Sequence, residues 1–172
     1  PFIFGLHQGL EGFIWLNISH PSANLKFMAL AYTFIAFFLW PFFIPYSLFH
    51  LESNMKRKAI LRTIYLFSLG YSILVYLPLL LGFISLHVEI NHKGLSYPID
   101  LPLWQQQFYV FFYVLIIAGA SLLCSRPGVR FFGGLLVVSF MVSWVWYYYT
   151  FSSTWCYFAA VLSAFVYFII PS

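Results

Sequence analysis

Residues 104–150 read, in succession, WQQQFYVFFYVLIIAGASLLC, SRPGVR and FFGGLLVVSFMVSWVWYYYT. Past the three glutamines at its start the first block is apolar all round, and so is the third. Each is close to the ~20 residues needed to cross the hydrocarbon of a bilayer. A soluble helix would instead carry a polar face along its length. The block between them holds Arg126, Pro127, Gly128 and Arg130, a charged helix breaker. Two spanning helices joined by a short basic loop is the reading this stretch imposes.

The pattern recurs along the whole chain. Apolar runs occupy roughly 2–19, 26–50, 59–86, 104–124, 130–150 and 155–170. The expected architecture is an all-α membrane protein, a bundle of six transmembrane helices forming one domain over 1–172. Composition agrees, since 63% of the residues are hydrophobic and only 7% are charged. Soluble domains carry about 25% charged residues, so most of this surface must meet lipid. The bilayer is therefore the expected partner. Nucleic acid is not, because a nucleic-acid face needs polar surroundings, and here the basic clusters are clamped between apolar runs.

Charge placement gives an orientation. Lys56, Arg57, Lys58 and Arg62 fall in one break, and Arg126 and Arg130 in another two helices later. Those breaks share a side, which the positive-inside bias makes cytoplasmic. Both ends of this chain are then expected in the cytoplasm. On the opposite side the long break 87–103 alternates polar and apolar residues around Asn91-His92-Lys93-Gly94, the pattern of a short extracytoplasmic β-hairpin. Val88, Ile90, Tyr97 and Ile99 should face the helix ends, with His87, Glu89 and Asp100 toward water. Pro98 marks an edge strand. Pro41, Pro45 and Pro78 fall inside helical runs, where proline frees carbonyls for other partners. The run 59–86 would be about 42 Å long if straight, so it must tilt or kink.

The most costly group is Glu11, near the middle of the first apolar run. A charge there costs at least ~2.5–3.5 kcal/mol. His7 is one turn earlier on the same helical face, Gln8 flanks both, and Asn17 lies further on. Two readings stand: an interior polar site for a ligand, proton or ion, or a structural Glu–His–Gln network. Gly5, Gly9 and Gly12 keep the adjoining surface thin enough for another helix to approach. No second acidic residue lies in any other run, which weakens an ion-coupled pump and removes two-carboxylate chemistry.

Other chemistry is sparse. Bis-imidazole ligation by His7 and His50 is geometrically conceivable, both lying toward the inner side. His20, His87 and His92 share the outer side near Glu89, but their spacing is no known metal signature, so no metal is assigned. Cys124 and Cys156 fall at opposite ends of their helices, too far apart for a disulfide. Phosphate-loop, zinc-protease and serine-elbow motifs are absent, and no cofactor is indicated. Trp144, Trp146, Tyr147, Tyr148, Tyr149 and Trp155 gather at the outer interface, either as an aromatic belt or as a platform for a carbohydrate or quinone.

The stretch Phe4-Gly5-Leu6-His7-Gln8-Gly9-Leu10-Glu11-Gly12-Phe13-Ile14-Trp15-Leu16 resembles a family of uncharacterised prokaryotic multi-pass membrane proteins, a domain of unknown function. The likeness continues through Trp40-Pro41 with Pro45 and through Leu51-Glu52 into Lys56-Arg57-Lys58. It resumes at Val88-Glu89-Ile90 with His92 and at Trp155-Cys156-Tyr157-Phe158-Ala159-Ala160. Gln8, Glu11 and Trp15 match its recurring pattern, and His7 is not assigned to it. The resemblance implies seven helices, the extra one preceding Pro1 and carrying a short Cys-Phe-Ser segment. It implies no activity. Three readings follow: a non-enzymatic membrane protein, either an accessory subunit among other membrane subunits or a small-ligand binder; a transporter or proton-conducting protein using Glu11; or an intramembrane enzyme using His7 and Glu11. The absence of catalytic groups favours the first.

Overall fold

The structure is a computed structural model that describes residues 2–19, 23–91 and 94–169. In order along the chain it has α1 (Phe2–Asn17), α2 (Ala23–Thr33), a π-helical turn (Phe34–Leu39), α3 (Trp40–Leu51) and α4 (Met55–Leu80). Strands β1 (Glu89–Asn91) and β2 (Gly94–Ser96) follow, then α5 (Leu103–Leu123), α6 (Pro127–Trp146), a 3-10 turn (Tyr148–Thr150) and α7 (Phe151–Ile169). Among the described residues four helical stretches are long and apolar enough to cross a membrane: Asn24–Leu51, Met55–Leu80, Leu103–Leu123 and Pro127–Trp146. The chain is a helical protein with membrane-type helices and one small antiparallel sheet.

Proline placement explains the second long helix. The Pro41 ring has no N–H and crowds the carbonyl four residues back. The chain answers by widening the preceding turn, and the Trp40 N–H reaches back five residues to the Ile35 carbonyl. A π turn of this kind leaves nearby carbonyls open to outside donors. The Tyr76 hydroxyl takes the Leu30 carbonyl at 3.1 Å, and His7 takes that of Tyr32.

The third apolar run, expected over 59–86, is helical over Met55–Leu80. Asn54 starts it early, its side chain accepting from the backbone N–H groups of Lys56 and Arg57 at 3.1 and 3.2 Å, a regular N-cap. Gly82 stops it early: at φ 74° it adopts the left-handed conformation. Gly82 N–H bonds to the Leu79 carbonyl at 3.2 Å and Phe83 N–H to that of Pro78 at 2.9 Å, the paired C-terminal bonds of a Schellman motif.

The hairpin pairs Glu89 with Ser96, Ile90 with Leu95 and Asn91 with Gly94, and a further bridge joins Leu86 to Ile99. Its apolar face differs from expectation at the tip. Ile90 is exposed, and Leu95, fully buried, takes its place beside Tyr97, Ile14 and Tyr32. The turn residues His92 and Lys93 lie outside the described residues. Gly94 seats the hairpin against the α6–α7 connection: a Cβ there would meet Thr150 Cγ2 at 2.8 Å.

Two packing expectations are corrected. Gly5, Gly9 and Gly12 leave nothing within 4 Å of a Cβ built on them, so the thin face of α1 is not covered by any described residue. The close helix approach is at Gly133, where a Cβ would meet Ser121 Cβ of α5 at 2.8 Å. Trp155, expected in the aromatic belt, is buried instead. Its indole N–H donates to Ser139 Oγ at 3.1 Å, and its ring packs against Phe151, Phe140 and Tyr113.

At the end of the bundle carrying the basic loops, Glu52 joins the α3–α4 and α5–α6 connections. One oxygen accepts from the Asn54 N–H at 2.8 Å and from the Ser125 hydroxyl; the other accepts from the Ser125 N–H at 2.6 Å. Arg57 reinforces the joint by donating to the Leu123 carbonyl at 3.3 Å. Burial alone would raise the Glu52 carboxyl, but the bonds from Ser125, Asn54 and Ser53 outweigh it and hold the group at about 2.

Candidate functional site

Helix α1 turns His7, Glu11 and Ile14 inward, the i, i+4, i+7 row of one face. The His7 Nε2 lies 3.1 Å from the Tyr32 carbonyl. A carbonyl only accepts, so Nε2 carries the hydrogen and a neutral ring leaves Nδ1 as an acceptor. That Nδ1 is buried and meets no donor. The imidazole stacks on the Tyr32 ring at 4.2 Å, and Tyr32 stacks on Tyr97 at 4.5 Å. Three rings thus tie α1, α2 and the hairpin together. The Cys156 thiol of α7 adjoins the Tyr32 hydroxyl.

Glu11 is 5% exposed. The Ser153 hydroxyl and the Gln8 amide stand beside its carboxyl group. Even so, neither Glu11 Oε1 nor Gln8 Nε2 completes an aligned hydrogen bond, nor does the buried hydroxyl of Tyr97, and that of Tyr32 has the Cys156 thiol beside it. Unpaired polar atoms in an interior each cost about 1–3 kcal/mol, and several in one neighbourhood call for water or a polar ligand.

A cleft of about 1000 Å³ between α1, α7 and the α6–α7 connection is lined by Gln8, Glu11 and Ser153 of this cluster. Gln8 and Glu11 lie at its floor, Ser153, Thr154 and Thr150 add hydroxyls, and aromatic rings including Trp15, Trp146 and Tyr157 line much of the rest. Among the described residues its lining contains no Lys, Arg or His, and Glu11 is the one acid. Behind the hairpin is a second cavity of about 410 Å³, bordered by Glu89, Gln106 and Gln107. A third, of about 560 Å³, is walled almost entirely by apolar side chains and extends to Leu51 and Gly128 at the basic end. Tyr113, Trp155 and Cys156 border both of these.

The polar cluster of His7, Gln8 and Glu11 read from α1 is thus joined by Tyr32, Tyr97, Ser153 and Cys156, which sequence reasoning did not assign. Ser153 carried a signal of sorts: Ser152, Ser153 and Thr154 form a polar patch. It looked like a break because the last run was placed at 155–170, whereas α7 begins at Phe151. His50 does not join His7; it is exposed at the end of α3, with Tyr46 and Phe49 at 4.6 and 4.9 Å. His87 is paired with Asp100 at 3.4 Å, while His20 and His92 lie outside the described residues. Among the described residues no three metal-ligating side chains converge.

The sequence matches a family of unknown function, DUF6629, over residues 1–171. The chain belongs to that family. Comparison with curated proteins and with solved structures gives no match. The DUF6629 assignment brings no activity with it, so the chemistry must come from the cluster itself. His7 Nε2 is engaged by a carbonyl and its Nδ1 meets no nucleophile, so the arrangement holds no assembled nucleophile–base pair. What it offers is an open acceptor, an open donor and aromatic walls, which is the equipment of a binding site.

Proposed function

We propose that this DUF6629 chain is a membrane-embedded, non-enzymatic protein that binds a small polar ligand in the cleft between α1 and α7. The observation that carries this is the pair of buried, unpartnered atoms Glu11 Oε1 and Gln8 Nε2 at the floor of a cavity of about 1000 Å³. A purely structural Glu–Gln network would close on itself, since an unmet group in an interior destabilises the fold.

In the full topology we propose, α1 and α7 also cross the bilayer, giving six passes with both ends of the chain cytoplasmic. Lys56, Arg57, Lys58, Arg62, Arg126 and Arg130 at one end support this. The hairpin and the mouth of the cleft then face outward. An impermeant thiol reagent on intact cells should label a cysteine placed at position 93 and leave one at position 56 untouched; the reverse result overturns the orientation.

Native mass spectrometry of protein purified in mild detergent tests the ligand reading. The unsubstituted protein should retain an added mass that Glu11→Gln does not, with both equally folded. Identical spectra, free of any adduct, would sink it. A second reading, transport, rests on the two cavities that meet at Tyr113, Trp155 and Cys156. It requires those three side chains to part, and uptake that depends on removing their bulk would favour it over simple binding.

A further inference from the structure

Resting on the ligand-binding reading, we propose that the ligand is a small amino alcohol, free or as the head of a lipid, with its ammonium at Glu11 and its oxygen at Gln8. Neither Glu11 Oε1 nor Gln8 Nε2 completes an aligned hydrogen bond, although the Gln8 amide and the Ser153 hydroxyl stand beside the carboxyl group. Glu11 and Gln8 lie one helical turn apart on α1, at the floor of the same cleft. A ligand completing both must donate at one end and accept at the other, a few bonds away.

Charge then decides the class. Among the described residues that line the cleft Glu11 is the one charged side chain, so an anion entering it meets repulsion from the carboxylate. A cation meets attraction, strengthened by the low dielectric around a carboxylate that is 5% exposed. A neutral diol could pair with the same atoms but would gain nothing from the charge.

The walls agree. Trp15 stands one turn above Glu11 on α1, Tyr157 one turn beyond Ser153 on α7, and Trp146 closes the rim. All three rings are substantially exposed, at 39%, 57% and 72%. Aromatic faces attract a cation through their ring quadrupole, the more so as it is desolvated. Trp15 and Tyr157, on two different helices, line the same cleft as Glu11.

The test is a titration of intrinsic tryptophan fluorescence in nanodiscs, using the full chain. The probes are ethanolamine, its neutral analogue 1,2-ethanediol, and the soluble headgroup glycerophosphoethanolamine. Ethanolamine should give a saturable change at least about tenfold tighter than ethanediol, and Glu11→Gln should erase that preference. Gln8→Ala should weaken ethanolamine by a smaller factor. A headgroup that binds as tightly as ethanolamine assigns the site to a lipid; one that binds far more weakly assigns it to a free amino alcohol. Ethanediol binding as well as ethanolamine overturns the amino-alcohol assignment while the cleft remains a ligand site. Absence of binding by both amines also overturns it, and the mass-spectrometric adduct then decides separately whether the cleft binds anything. The comparison of charged and neutral probes is made on the unsubstituted protein, so it does not depend on a variant folding.

Discussion

Two carboxylates are buried in this protein, and they are buried in opposite ways. Glu52 is 2% exposed and receives donors on both oxygens, from Ser125 and Asn54. Glu11 is 5% exposed and keeps one oxygen without a partner above an open cleft. Burial alone therefore does not distinguish a structural acid from a functional one; completion of its hydrogen bonds does. Glu52 is closed by the chain's own backbone and fastens two loops. Glu11, in the function proposed above, is left for a ligand.

The largest effect should come from exchanging the two perturbations. Glu11→Gln should reduce ligand retention at least about tenfold, while costing under ~1 kcal/mol of stability because the amide keeps size and most hydrogen bonding. Glu52→Gln should leave retention unchanged. Native mass spectra of the two variants, with thermal denaturation of each, make the comparison, and equal retention in both would break it.

Next comes stability. Glu52→Ala removes the acceptor for buried loop donors and should cost on the order of 1.5–3 kcal/mol, read as a lower midpoint of thermal unfolding in detergent. An unchanged midpoint would mean that the two loops are held by other contacts.

The same joint predicts a pH dependence with a definite sign. The Glu52 carboxyl is held at about 2, below its ordinary 4.5. A depressed carboxyl contributes stability that is complete above its unfolded value and declines as pH falls toward the folded one. The unfolding midpoint of the unsubstituted protein should therefore fall between pH 5 and pH 3 by more than that of Glu52→Gln. Parallel acid profiles would remove Glu52 as the cause.

The smallest effect is local. Asn54→Ala leaves the first N–H groups of α4 without their cap and should cost about 1 kcal/mol, with ligand retention intact. A loss of retention there would couple the basic end of the bundle to the cleft, which the comparison of the two acids denies.

How much of this was legible beforehand follows from what is local. The helices were, because apolar runs are read one residue at a time. So was the hairpin, because alternation around a tight turn is a short-range signal. Glu11 stood out since an acid amid apolar residues is costly wherever its neighbours lie. The partners were not legible: Ser125 is 73 positions from Glu52, and no spacing rule links them. Tyr32 and Tyr97 looked like two more aromatics among many until α2 and the hairpin brought their rings into one stack. Hydropathy also misled at Trp155, since aromatic residues near an interface look alike whether they face lipid or, as here, donate to a buried serine. Helix ends shifted where Asn54 and Gly82 overrode the apolar pattern.

The central claim is that Glu11 is completed by a ligand and Glu52 by the chain. Density around Glu11 Oε1 in a structure of the full protein in lipid nanodiscs tests it most directly. The account predicts a non-protein group within about 3.2 Å of that oxygen, reaching also toward Gln8 Nε2. A protein side chain closing Glu11 Oε1 over an empty cleft, or the carboxylate turned out to acyl chains, would contradict it.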